Sequence, residues 1–236
     1  MKRLVLAASL LLAFVVAAPA SAHFVWLVVE SADGGKPVAK VYFAELAESD
    51  DAALLDRIEK VQVRTRDTTG KASGQPLKLT KQTDKDGGGS WTAELPEGTS
   101  SLSGTIKYGV LERGPNVFQL NYHATYADSN SPDFGKQQPD ASLTMEVVPH
   151  LAGEKSQLEV LWKGKPIAGS EVTVVDPSGK EHDPIKTGDD GRITFDLSKP
   201  GLYSIRAKWV VDEKGQEGDK KFEKANHYST LTLRVK

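Results

Sequence analysis

The chain has 236 residues, 30 Lys and Arg against 32 Asp and Glu, a formal net charge of −2 and no cysteine. So even a charge balance offers no basic footprint for nucleic acid or an anionic membrane surface, and stability must come from packed cores without disulfides. Any metal site must use nitrogen and oxygen donors, which favours nickel, cobalt, copper(II) or zinc over copper(I).

The chain opens as a secretion signal: Lys2 and Arg3, an apolar run from Leu4 to Ala18, then Ala20-Ser21-Ala22. The run is short for a membrane span and is followed at once by small residues, so residues 1–22 read as a cleaved leader. The mature protein is expected in the periplasm or outside the cell, with no membrane insertion after cleavage. A cut after Ala22 makes His23 the first residue, and its α-amine and ring Nδ1 are able to close on one metal ion. Both donors ordinarily lose their protons near about pH 8 and about pH 6.5, so affinity should fall on acidification. A cut after Ala20 instead leaves Ser21-Ala22-His23, a third-position histidine that suits square-planar Cu(II) or Ni(II). The plain alternative is that His23 merely opens the first strand.

Phe24 to Glu30 is apolar and β-branched and reads as strand; Asp33-Gly34-Gly35 and Pro37 turn it, and Val38 to Phe43 resumes it. A short helix is expected next, capped by Ser49 or Asp50, with Leu54, Leu55, Ile58 and Val61 on one face. The acidic group Glu45, Glu48, Asp50 and Asp51 is accounted for by that helix start. Short strands follow at Val61 to Thr65, Pro76 to Thr80 and Trp91 to Leu95, then longer ones at Ser101 to Val110 and Asn116 to Tyr126. On a period of two, Phe118, Leu120, Tyr122 and Ala124 share one face and Gln119, Asn121, His123 and Thr125 the other. Residues 127–140 read as a polar loop, Ala141 to Val148 as a strand, and Pro149-His150 as a boundary.

The remainder has different turns: Lys163-Gly164-Lys165-Pro166, Asp176-Pro177-Ser178-Gly179 and Asp189-Asp190-Gly191. They separate strands at Gln157 to Trp162, Glu171 to Val175, Arg192 to Leu197, Leu202 to Trp209 and Tyr228 to Val235. Gly164 to Gly169 before a Val-x-Val strand, Thr187 to Arg192 before Ile193-Thr194-Phe195, and Pro200-Gly201-Leu202-Tyr203 resemble the carboxypeptidase-regulatory-like, transthyretin-like β-sandwich. That resemblance implies a fold and says little about function. The predicted fold is all-β: two tandem antiparallel β-sandwich domains, residues 23–148 with one short helix and residues 149–236 of the transthyretin-like kind. Ala22-His23-Phe24-Val25-Trp26-Leu27, Lys107-Tyr108-Gly109-Val110 and the strand from His227 to Leu233 resemble a bacterial secreted family of unknown function described as NikM-like. The resemblance implies a periplasmic component of cobalt or nickel transport, with a membrane metal transporter as partner.

Five histidines are present. His182 lies in a charged turn and reads as solvated; His150 reads as a hinge residue. His23, His123 and His227 come from three distant strands, and separate strands fix ligand geometry well, so these three form the candidate metal site. Against that, a histidine on a polar strand face is more often an exposed or hydrogen-bonded residue. Asp189-Asp190-Gly191 lacks the spaced acidic ladder of a calcium loop and reads as a tight turn. Trp26, Trp91, Trp162 and Trp209 read as core. No G-x-S-x-G, H-E-x-x-H, phosphate loop or cysteine nucleophile occurs, so the chain reads as a non-enzyme that binds Ni, Co or Cu for uptake or buffering. A structural or adhesive envelope module is the alternative, and a copper-dependent oxidative enzyme a lesser one.

Overall fold

Strand-forming runs cut by turn residues bury their apolar faces only by pairing, and the computed structural model shows them paired throughout. It describes residues 22–31, 35–67, 69–136, 138–152 and 155–236; the expected leader, apart from Ala22, lies outside them. In chain order the strands are β1 (Phe24–Ser31), β2 (Pro37–Ala44), β3 (Asp50–Asp51), β4 (Gln62–Thr65), β5 (Thr80–Thr83), β6 (Gly88–Glu94), β7 (Ser101–Arg113) and β8 (Asn116–Asp128). They continue as β9 (Met145–Ala152), β10 (Lys155–Trp162), β11 (Lys165–Pro166), β12 (Glu171–Val175), β13 (Ile185–Lys186), β14 (Arg192–Thr194), β15 (Gly201–Glu217) and β16 (Lys220–Val235).

Among the described residues these strands form three sheets. The first runs β1-β2-β6-β3, with β5 also on β6; another runs β11-β10-β14, with β9 also on β10. Between them lies a seven-stranded sheet, β13-β12-β15-β16-β8-β7-β4. Its centre is a parallel pairing in which Ser229 of β16 stands beside His123 of β8 and Tyr228 beside Tyr122. Alternation then sorts the side chains. Leu102, Ile106, Leu120, Tyr122 and Ala124 join a core with Val25, Leu27, Val41 and Leu55. Val172, Tyr203, Ile205, Leu231 and Leu233 point the other way, into a core with Met145, Val147, Leu158 and Val160. The all-β architecture is thus two sandwiches that share their middle layer, so a sheet buried on both faces carries the centre of the molecule. A buried hydroxyl, Thr230 Oγ1, ties this layer to β1 by donating to Val25 O at 2.6 Å. The turn-based boundary at residues 148 and 149 falls on consecutive positions of β9.

Three local expectations are corrected. The short helix is a 3-10 helix, Ala52–Ile58, capped by Asp51, whose side chain accepts from Ala53 N at 2.9 Å. Ala52, Leu55 and Ile58 are its buried residues, and their spacing of three is the 3-10 repeat. Leu77 and Leu79 pack against the core but lie outside the ladder, and the strand begins at Thr80. Strands β15 and β16 extend far beyond Trp209 and before Tyr228, pairing from Val210↔Asn226 to Glu217↔Lys220. Those arms are mostly exposed and charged, so they carry no apolar alternation to read.

Candidate functional site

His23 stands immediately before β1, and its backbone is pinned because the Tyr122 hydroxyl donates to His23 O at 2.9 Å. Its ring lies 5.5 Å from that of Phe43, and its Nε2 is 3.1 Å from Asp50 Oδ2. Asp50 is itself oriented: its other oxygen accepts from Asp51 N at 2.7 Å, and β3 pairs Asp50 with Gly89. A carboxylate only accepts, so this contact puts a ring hydrogen on Nε2, and in the neutral ring the lone pair is then on Nδ1. Nδ1 is the nitrogen that closes a chelate with the residue's own α-nitrogen. Amine and imidazole nitrogens suit nickel, cobalt or copper(II), and a carboxylate behind the ring is the usual support for a histidine ligand.

His123 and His227 meet elsewhere. Period-two alternation puts both on the face of the seven-stranded sheet opposite Tyr122, and the parallel register brings them together: His123 Nε2 is 3.2 Å from His227 Nδ1. Their planes differ by 8° and their ring centres are 5.5 Å apart, which is the N···N distance plus one ring radius at each end. The two nitrogens therefore lie on the line between the rings, edge to edge, in the geometry of a single N–H···N bond. Thr105 decides its direction. Its Oγ1 donates to Tyr122 O at 3.2 Å, so toward His123 Nδ1, at 3.4 Å, it is an acceptor. Nδ1 of His123 then carries the hydrogen, its Nε2 accepts from His227 Nδ1, and His227 Nε2 keeps a lone pair. That nitrogen is buried with no partner among the described residues, as are Ser229 Oγ, Asn121 Nδ2 and Gln119 Nε2. The Trp162 ring stands edge-on over His227 at 4.6 Å. Burial pushes His123 down to about 3, helped by His227, and His227 down to about 4, helped by Lys163.

The three histidines read as one candidate site are therefore divided. His227 and His123 are in contact, while His23 lies across the sheet, on the face that carries Tyr122. Among the described residues no group of three or more His, Cys, Asp or Glu is placed to hold an ion. His150 faces Glu159 at 2.7 Å and His182 faces Asp176 at 3.3 Å, so each is occupied by a carboxylate. The residue missed by sequence reasoning is Asp50, which was explained as helix capping; Asp51 takes that role, and nothing local links Asp50 to a histidine 27 positions away.

His23 also borders a groove of about 690 Å³. Phe24, Phe43, Tyr108, Tyr122 and Tyr228 form its aromatic floor, with Phe24 and Tyr228 5.1 Å apart and Phe43 and Tyr108 5.6 Å apart.

No curated protein matches the chain. Among solved structures it is similar to one described as the BSP domain of a biofilm associated protein, at 14% identity and a TM-score of 0.20, covering 84% of this chain and 27% of that one. It is also similar to the Bacillus anthracis TIE protein, at 9% identity and a TM-score of 0.17, covering 92% of this chain and 57% of that one. The chain thus spans less than two thirds of either, and likeness at these scores carries no argument about function. Residues 20–211 match the model of a domain of unknown function, DUF4198, and the chain belongs to that family.

Proposed function

We propose that the mature protein is a secreted, periplasmic carrier of nickel, cobalt or copper, serving uptake or buffering of the metal rather than catalysis. The ion is held by the amino terminus itself: the α-amine and Nδ1 of His23, once the leader is cut after Ala22. The observation that carries this reading is the 3.1 Å contact of Asp50 with Nε2, which fixes the tautomer that chelation needs. Two donors from one residue leave the remaining coordination positions to water or a partner, which suits transfer better than permanent storage. A membrane metal transporter of the NikM-associated kind is the receiving partner in this reading.

The experiment compares two forms of the chain by titration with Ni, Co, Cu and Zn: the protein secreted and processed to His23, and a form that keeps a methionine before His23. The amine becomes an amide in the second form, so metal binding should be lost while folding is unchanged. Equal affinity in the two forms would remove the amino-terminal site. A second reading is favoured by the His123–His227 pair, whose burial and contact make it a hydrogen-bonded tie between β8 and β16. On that reading the chain is a structural envelope module, and no form takes up stoichiometric metal.

A further inference from the structure

The groove beside His23 has a rim as distinctive as its floor. Arg57, Arg113, Lys208, Lys221 and Lys224 line it, all exposed, against a single acid, Glu223. Glu223 lies 3.5 Å from Lys214. None of the five cations has a carboxylate within ion-pair distance among the described residues, although the chain as a whole holds more acidic than basic residues. Five like charges around one concavity repel each other and raise the local concentration of anions. On the floor, Tyr108 and Tyr228 are half-buried. Tyr122 spends its hydroxyl on His23 O, whereas the hydroxyls of Tyr108 and Tyr228 have no partner among the described residues.

We propose that this groove binds an acidic oligosaccharide, a run of about two or three uronate-bearing sugar rings, a size that suits a ligand pocket of this volume. A pyranose presents an apolar C–H face that packs flat on an aromatic ring, and its edge carries hydroxyls that need partners. The rings of Tyr108 and Tyr228 supply the first; their free hydroxyls, with the Asn226 amide, supply the second. The carboxylates of the uronates meet Arg113 and Lys208, which stand at the end of β7 and on β15. Register sets Lys208 directly beside Tyr228, so a cation and an aromatic platform lie one strand apart, the spacing that a ring with a pendant carboxylate requires. This site does not depend on His23 holding a metal.

The test is calorimetric titration of the full mature chain, stripped of metal with a chelator, with trigalacturonate, and with neutral cellotriose as the control of equal length. Trigalacturonate binds, cellotriose binds at least about tenfold more weakly, and added salt weakens the acidic ligand. Arg113→Gln combined with Lys208→Gln removes two exposed, unpaired cations, so circular dichroism stays unchanged while affinity for trigalacturonate falls about tenfold or more. Tyr108→Phe keeps the ring and weakens binding by a few fold through the lost hydroxyl. Absence of binding at millimolar trigalacturonate overturns the proposal, as does equal affinity for cellotriose or an unaltered affinity in the double variant. Displacement by benzoate or inorganic phosphate at similar concentration also overturns it, because the groove would then be a general anion trap. Metal titration of the same double variant separates this proposal from the carrier reading: metal binding survives there, while Asp50→Ala, at a residue outside the groove lining, weakens metal binding and leaves the sugar affinity in place.

Discussion

In the unfolded chain, acidification from pH 7.5 to pH 5 protonates His123 and His227 before it reaches most carboxylates, and the effect on stability follows from the burial of the two rings in the fold. In the unfolded chain both imidazoles take up protons near the ordinary value of about 6.5, whereas in the fold burial holds them at about 3 and about 4. Between those limits the unfolded state binds more protons, so folding stability falls as pH drops below 6.5 and stops falling from this source only once the folded rings protonate. At pH 5 each histidine lies about 1.5 pH units below its unfolded value, which is about 2 kcal/mol per ring and about 4 kcal/mol for the pair. A loss of that size is a large part of the stability of an ordinary domain. Urea unfolding of the metal-free protein at pH 7.5, 6.5, 5.5 and 5 measures it. His227→Gln should be less stable at pH 7.5 but should show about half the pH slope. A stability constant to within about 1 kcal/mol over this range, or a slope unchanged in His227→Gln, would rule out the pair as the source, since some other group would be setting the response.

Asp50→Ala removes the support behind His23 and should weaken metal binding about 10–100-fold, with little change in melting temperature because Asp50 is partly exposed; titration with nickel reads it. Arg66 Nη1 and Glu146 Oε1 form a buried ion pair at 2.8 Å, with side chains 6% and 5% exposed. Arg66→Met strands a buried carboxylate and should cost about 3–5 kcal/mol in urea unfolding, and the loss should shrink when Glu146→Gln is added. At Gly70, φ is +85° and a Cβ would run into the Gln138 carbonyl, so Gly70→Ala should destabilise by more than the about 1 kcal/mol of a free glycine site, measured by thermal unfolding.

The strands that alternate cleanly were legible. The reading of Asn116 to Tyr126 put Tyr122 and His123 on opposite faces, and this parity separates the aromatic groove from the buried histidine pair. The all-β class followed from turn residues at short intervals. What joins the halves was not legible: β8 and β16 pair in parallel across some hundred residues, and no periodicity encodes a partner. The arms beyond Trp209 were missed because most of their residues are exposed and charged, and a spacing of three apolar residues over one short turn does not separate 3-10 from α. For the site, His23, His123 and His227 were visible as residue types, but which of them meet depends on sheet order. Asp50 was invisible as a partner because a short strand, β3, carries it back to the start of β1. The cations of the groove come from β7, β15, β16 and the 3-10 helix, and each alone reads as a solvated surface charge.

The amino-terminal metal site is tested most directly by the pulsed electron-spin spectrum of copper(II) bound to the protein processed to His23. An ion held by the amino terminus gives coupling to the remote nitrogen of one imidazole together with an amine ligand, unchanged in a His123→Gln, His227→Gln variant and abolished in His23→Ala. Coupling to two imidazoles, lost when His123 and His227 are replaced, would contradict it and move the metal to the far side of the sheet.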